Sequence, residues 1–125
     1  MPEHAANPIK VSLLTPAGPL FAGPARYLRA RSPEGRLGVL AGHTPLVALL
    51  VPDVLVIETE TETRYYAVTG GVLEVRPGSE VVVLADVADK RQTAEAAEAR
   101  LAELRAASAT PENTTSTPAL LAFGA

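Results

Sequence analysis

Apolar and polar residues alternate in short runs over the first two thirds of the chain. Ile9, Val11 and Leu13 are separated by Lys10 and Ser12, the two-residue period of a strand with one buried face. Thr15-Pro-Ala-Gly-Pro19 closes that run, and Gly23-Pro24 is expected to close the short segment after it. Tyr27 to Arg31 alternates again and stops at Ser32-Pro-Glu-Gly35. Leu37 to Leu40 and Leu46 to Val51 follow, separated by Gly42-His-Thr-Pro45. Val54 to Glu58 and Arg64 to Thr69 read as a hairpin whose tip is the Glu/Thr run at 58–63. Val72 to Arg76 and Val81 to Ala85 read as another, turning at Pro77-Gly78. Short strands with Gly/Pro turns at this spacing predict a sandwich or flattened barrel.

The pattern changes at Asp86. Residues 89–107 contain neither Gly nor Pro and are dominated by Ala, Glu, Arg and Leu, all good helix formers. Asp89 and Gln92 have the spacing of a capping box, which sets the expected helix start at Asp89. Ala94, Ala97, Leu101 and Leu104 form one narrow apolar stripe. So thin a stripe cannot hold a helix alone, and the helix must lean on the β-domain or on another protein. From Ser108 the chain is rich in Ser, Thr, Pro and Asn, a composition that predicts disorder. The expected organisation is a β-sandwich over 9–88, a helix over 89–107 and a disordered tail over 108–125.

Composition narrows the function. The net charge of −3 argues against a general nucleic-acid binder, which needs clustered Lys and Arg to neutralise phosphates. There is no cysteine, so disulfides and thiolate metal sites are excluded and a reducing compartment fits. Met1 to Pro8 lacks a basic segment followed by an apolar run, so no secretory leader is expected. The longest apolar stretch, Pro45 to Ile57, is broken by Pro52 and Asp53 and falls short of the roughly 20 residues that span a bilayer. Membrane association is expected only through partners.

Candidate chemistry is sparse. The two histidines are His4, near the start, and His43, in a glycine-flanked turn. Neither has a metal-ligand or acid/base neighbour in sequence, so His43 reads as a residue that bonds its own loop or a partner surface. Gly70-Gly71 lacks the Lys-Ser/Thr and the helix of a phosphate loop, and reads as a turn or bulge where a Cβ does not fit. Asn113-Thr-Thr115 matches a glycosylation sequon that carries little meaning without a secretory leader. No catalytic residue, metal or cofactor is expected. These features alone fit a stand-alone β-sandwich adaptor that binds other proteins.

One segment goes further. Ser32-Pro-Glu-Gly-Arg-Leu-Gly-Val-Leu-Ala-Gly-His-Thr-Pro-Leu-Val47 resembles the signature of the epsilon subunit of the F-type proton-translocating ATP synthase. That family typically reads Gly-x-Leu-Gly-Ile, then Pro-Gly-His, a small residue, Pro-Leu. Thr69-Gly-Gly-Val-Leu-Glu-Val75, Val83-Leu-Ala-Asp86 and Val11-Ser-Leu-Leu-Thr-Pro-Ala-Gly-Pro-Leu-Phe21 are similar to further blocks, in the family's order. The resemblance implies a ten-stranded β-sandwich followed by a helical C-terminal part. It implies a non-catalytic rotor subunit at the foot of the central stalk, which binds the gamma subunit, rests on the c ring and couples proton flow to ATP synthesis. The implied location is peripheral, on the cytoplasmic face of a bacterial plasma membrane. In many members the C-terminal helices restrain ATP hydrolysis, so the alpha/beta catalytic sector is a further implied partner of the helix.

Carried over position by position, Glu34, Gly35, Arg36, Leu37 and Gly38 match the loop that meets the c ring. Gly42 and His43 match the family's Gly-His, near the gamma and c-ring contacts. Ser32 to Pro45 is therefore expected to project as the main ring contact, and the pattern leaves open whether Val39 is displayed or lies inward in a strand. Some positions depart from the family. Ala41 replaces its usual proline, and Arg36 replaces an often acidic residue. Glu98 stands where an arginine would face phosphate in members that bind ATP, so ATP binding is not expected. The tail replaces the second helix.

Overall fold

The computed structural model describes residues 7–107. The expected disordered tail at 108–125, its sequon at Asn113 and His4 lie outside the described residues. Among the described residues the chain forms β1 (Ile9–Thr15), β2 (Gly18–Ala25), β3 (Tyr27–Ser32), β4 (Gly35–Val39) and β5 (Leu46–Leu50). β6 (Asp53–Glu58), β7 (Thr63–Val68), β8 (Gly71–Arg76), β9 (Glu80–Ala85) and β10 (Ala88–Arg91) follow. A helix, α1, covers residues 94–107.

The strands make two five-stranded sheets, in the orders β2-β1-β9-β8-β5 and β10-β7-β6-β3-β4. We call them the first and second sheets. All pairings are antiparallel except β1 with β9. The alternating residues of β1, Ile9, Val11 and Leu13, point into one core with Leu73, Val81 and Val83 of the same sheet. Leu28, Leu55, Ile57 and Tyr66 meet them from the second sheet. Each such side chain, fully buried, contributes about 1.5–3 kcal/mol. The hydroxyl of Tyr66 is buried in this core with no hydrogen-bond partner.

Strand β6 departs from alternation, with Val54, Leu55, Val56 and Ile57 all buried. Leu55 and Ile57 face the main core, whereas Val54 and Val56 pack under Ala97 of α1 beside Tyr65. The narrow stripe read from the sequence is the docking face: Ala97 and Leu101 are buried, Ala94 and Leu104 half-buried. Arg100 ties the helix to β10 through Asp89 at 2.7 Å and also donates to Glu103 at 3.0 Å. These two carboxylates, Asp89 foremost, raise the Arg100 pKa above its ordinary value.

Three expectations change. Asp89 does not cap the helix, because it lies in β10, paired with Ala67 of β7. The cap is Thr93, whose hydroxyl accepts the Ala96 N–H at 3.1 Å. Gly23-Pro24 does not end β2, because β2 is the edge of the first sheet, where a proline removes no ladder bond that the sheet needs. Ser32 to Pro45 is not a single projecting loop. It is a turn, the strand β4 and a second loop, with Val39 fully buried in the core.

The glycine pair is explained by close approach. A Cβ on Gly71 would overlap the Leu84 carbonyl oxygen of β9, and both glycines have positive φ, 150° and 147°. Since β10 ends at Arg91, a chain cut there keeps every strand of both sheets. Residues 9–91 are expected to unfold cooperatively on heating. Uncovering Val54 and Val56 should lower stability by about 2–4 kcal/mol. Calorimetry checks this, and a molten product contradicts it.

Candidate functional site

The turn between β3 and β4 is built by Ser32, which is buried at 7 % exposure. Its hydroxyl donates to the Gly35 carbonyl at 3.1 Å and accepts the Glu34 N–H at 3.2 Å. Gly35 takes φ 131°, a conformation that favours glycine. The turn is thereby held in one shape, with Glu34 and Arg36 exposed and Leu37 half-buried against the core. Arg36 lies directly opposite Arg31 of β3, and Asp53 sits beside both.

Gly42 and His43 lie elsewhere. Strand β4 carries the chain from the turn to the other end of the sandwich, about 14 Å away at a strand's rise per residue. There the Gly42 N–H donates to the Ser79 hydroxyl at 3.0 Å, which ties the β4–β5 loop to the β8–β9 turn. The His43 N–H donates to the Leu40 carbonyl at 3.1 Å, and Nδ1 of its ring meets the Thr44 carbonyl at 2.7 Å. His43 thus bonds its own loop, as its sequence setting suggested. Leu40, beside it, is 58 % exposed. The structure therefore keeps Glu34 to Leu37 together and separates them from Gly42 and His43.

Gly38 is a different case. It has no unusual φ, and a Cβ there would come within 2.8 Å of the Tyr27 ring of its own chain. Its need for glycine is internal to the second sheet.

Sequence reasoning missed a broader surface. On the outer side of the first sheet, Leu14, Leu84, Val72 and Leu49 are successive cross-strand partners from β1 to β5. The next row is Ser12, Val82, Glu74 and Val47, and the row after it includes Lys10, Glu80 and Arg76. The face therefore grades from apolar, at the end carrying the Glu34 turn, to charged at the other. Val47, Leu49 and Leu84 are 69 %, 64 % and 51 % exposed. A contiguous apolar row on a sheet face marks an interaction surface. The sequence did hold the signal. Leu46 to Leu50 and Val81 to Leu84 are runs without polar alternation, which is the pattern of strands covered on both faces.

Among the described residues no group of three His, Cys, Asp or Glu is placed to hold a metal, and no helix is long and apolar enough to cross a membrane. What the arrangement offers is surface: one apolar sheet face, one rigid charged turn, and a second face covered by α1 at Val54 and Val56.

Comparison with known proteins agrees with this geometry. Residues 8–91 match the family described as ATP synthase, Delta/Epsilon chain, beta-sandwich domain. The chain is 41% identical over 97 residues to the ATP synthase epsilon chain of Desulforudis audaxviator (strain MP104C), covering 78% of this chain and 70% of that one. It is 40% identical over 98 residues to the ATP synthase epsilon chain of Anoxybacillus flavithermus (strain DSM 21510 / WK1), covering 78% and 72%. It superposes with a TM-score of 0.64 and 29% identity on a chain of the Euglena gracilis mitochondrial ATP synthase, solved by cryo-EM as OSCP/F1/c-ring in rotational state 1. A chain of the Tetrahymena thermophila mitochondrial ATP synthase central stalk/c-ring shares the fold, with a TM-score of 0.57 at 18% identity. The superposed region covers 80% and 64% of this chain, and just under two thirds, 65% and 64%, of those two structural neighbours.

The Tyr27 contact makes Gly38 a packing site. Gly38→Val is expected to lower stability by about 1–3 kcal/mol through overpacking against that ring. Denaturant titration checks this. An unchanged midpoint would mean that Tyr27 moves aside freely.

Proposed function

The chain belongs to the ATP synthase epsilon-chain family, and we propose that it is a non-catalytic subunit of the central stalk that joins the gamma subunit to the c ring. In that role it turns with the rotor and helps couple proton translocation to ATP synthesis. The observation that carries this reading is the outer face of the first sheet. Its row of Leu14, Leu84, Val72 and Leu49 has no cover from the described chain, whereas Val54 and Val56 on the corresponding face of the second sheet lie under Ala97 of α1. We assign the uncovered face to gamma, whose docking removes those side chains from water.

The Glu34–Leu37 turn stands at the apolar end of that face and is assigned to the ring. Gly42 and His43, at the opposite end, are assigned to the gamma side. Support for a rotor position comes from the structural neighbours, solved as parts of ATP synthases with their c rings. The chain then sits peripherally, held through its partners, on the cytoplasmic face of a bacterial plasma membrane. A contact with the alpha/beta sector would need the outer face of α1, where Glu95, Glu98 and Glu103 are exposed or partly so. No observation favours the stand-alone adaptor.

The test is to place charges on the uncovered face without touching the core. The double variant Leu49→Glu, Leu84→Glu is expected to fold with a melting temperature within a few degrees of wild type, since both side chains already face solvent. It should bind gamma at least about tenfold more weakly, because carboxylates would have to be buried at the interface. Normal co-purification with gamma would refute the assignment.

A further inference from the structure

Among the described residues four strands stand at sheet edges, β2 and β5 in the first sheet, β10 and β4 in the second. An edge strand presents unpaired main-chain N–H and C=O groups, and charge, proline or a bulge ordinarily guards them. β2 carries Pro19 and Pro24 and meets β1 across a register shift. β10 is Ala88-Asp-Lys-Arg91, and β4 carries Arg36. β5, Leu46-Val-Ala-Leu-Leu50, has no charge and no proline, and it pairs with β8 in unbroken register. It is the unguarded edge.

Which groups of β5 are free follows from two hydrogen bonds at the ends of the neighbouring strands. The Lys10 N–H donates to the Ser79 carbonyl at 2.9 Å, which turns that carbonyl toward β1. The Glu80 N–H of the same peptide then points the opposite way, toward β8, and by alternation so do the main-chain groups of Val82 and Leu84. The Asp86 N–H donates to the Gly70 carbonyl at 3.0 Å, which sets the same phase from the other end and turns the Gly71 N–H toward β5. Gly71, Leu73 and Val75 therefore bond Leu50, Ala48 and Leu46. Val47 and Leu49 point their N–H and C=O groups away from the sheet, and no hydrogen bond from a described residue meets them there.

These two residues also carry exposed apolar side chains, at 69 % and 64 %. Beside them runs a groove of about 300 Å³, with Leu46, Val47 and Ala48 on one side and Leu37, Glu34 and Arg36 on the other. Its two charged residues are of opposite sign, so the groove selects for main chain and shape rather than for charge.

We propose that β5 accepts an added strand, an extended segment of gamma, the subunit assigned above to the outer face. The proposal rests on that assignment and adds the mode of binding. Val47 and Leu49 belong to both features, so a partner seated on the outer face already lies beside the open edge. A second copy of this chain does not answer both demands. Two copies joined edge to edge share one continuous sheet, and the row of Leu14, Leu84, Val72 and Leu49 stays in water in each. The gamma segment must offer main-chain groups to Val47 and Leu49, so it has no proline at the residues facing them. Its outward side chain beside Leu49 is apolar.

Amide hydrogen exchange tests this, read residue by residue by NMR on the full chain, free and bound to gamma. In the free chain Val47 and Leu49 should exchange fast, while Ala48 and Leu50, bonded to β8, exchange slowly. Gamma should slow Val47 and Leu49 at least about tenfold. Fast exchange at both in a complex that has formed overturns the added strand and leaves the outer-face assignment standing. Slow exchange at both in the free chain also overturns it, because the edge is then occupied without gamma, by the chain's own residues in a monomer or by a second copy in a dimer. If no complex forms, the gamma assignment falls and takes this proposal with it.

A pair of variants separates main chain from side chain. Leu49→Ala trims the side chain and keeps the N–H, whereas Leu49→Pro removes that N–H without breaking a bond to β8. The proline variant should bind gamma about tenfold more weakly than the alanine variant. Equal affinity of the two folded variants counts against the proposal, and if the proline variant does not fold, amide exchange decides.

Discussion

A β-strand that is apolar on both faces must be covered on both faces. Three segments of this chain impose that demand: Leu46 to Leu50, Val54 to Ile57 and Val81 to Leu84. The sandwich core covers one side of each. For Val54 and Val56 the second cover is α1, through Ala97. That contact also explains why the helix forms at all, since an isolated helix of its length is marginal in water. For Val47, Leu49 and Leu84 the described chain supplies no second cover. The division of labour between the two sheets follows from that difference. One closes on its own helix, and the other is left for a partner.

The ends of the sandwich serve this division. At one end Ser32 and Gly35 fix the turn that carries Glu34 and Arg36, and Arg31 and Asp53 hold the strands behind it. At the other end Ser79 joins two turns and sets Gly42 and His43 in place. The rows of the outer face change from leucine and valine to Lys10, Glu80 and Arg76 between those ends. A partner docked there meets apolar surface near the Glu34 turn and charge near His43, so the face has a direction as well as an identity. The exposed ion pairs add little to stability. They matter more for register and for the choice of partner.

Much of this architecture is visible in the residues themselves. The alternation of Ile9, Val11 and Leu13, and the turn residues at Pro77-Gly78 and at 58–63, placed strands and hairpins near their observed bounds. The strand count came from the family resemblance, because alternation does not show how ten short strands pair across two sheets. The helix starts at residue 94 and not at Asp89, whose spacing to Gln92 imitates a cap. Antiparallel pairing with β7 draws residues 88–91 into β10 first, and Thr93 takes the cap. Val39 was ambiguous because its neighbours Gly38 and Leu40 give no clean period. Only the pairing of Val39 with Leu28 sets it inward. Runs such as Leu46 to Leu50 signal cover on both faces, but a single strand does not reveal its neighbours. Leu14, Leu84, Val72 and Leu49 become a row only when four strands are in register.

In the proposed rotor role, the outer face of the first sheet is covered in the assembled enzyme. The chain has no cysteine, so single cysteines can report on it without background. Maleimide labelling of Val47→Cys, Leu49→Cys and Leu84→Cys should be rapid in the free protein and strongly suppressed in the purified synthase. Arg29→Cys, on the outer side of the second sheet, serves as the comparison and should label at similar rates in both. Equal labelling of all four positions in the free and assembled states would mean that this face stays open in the synthase.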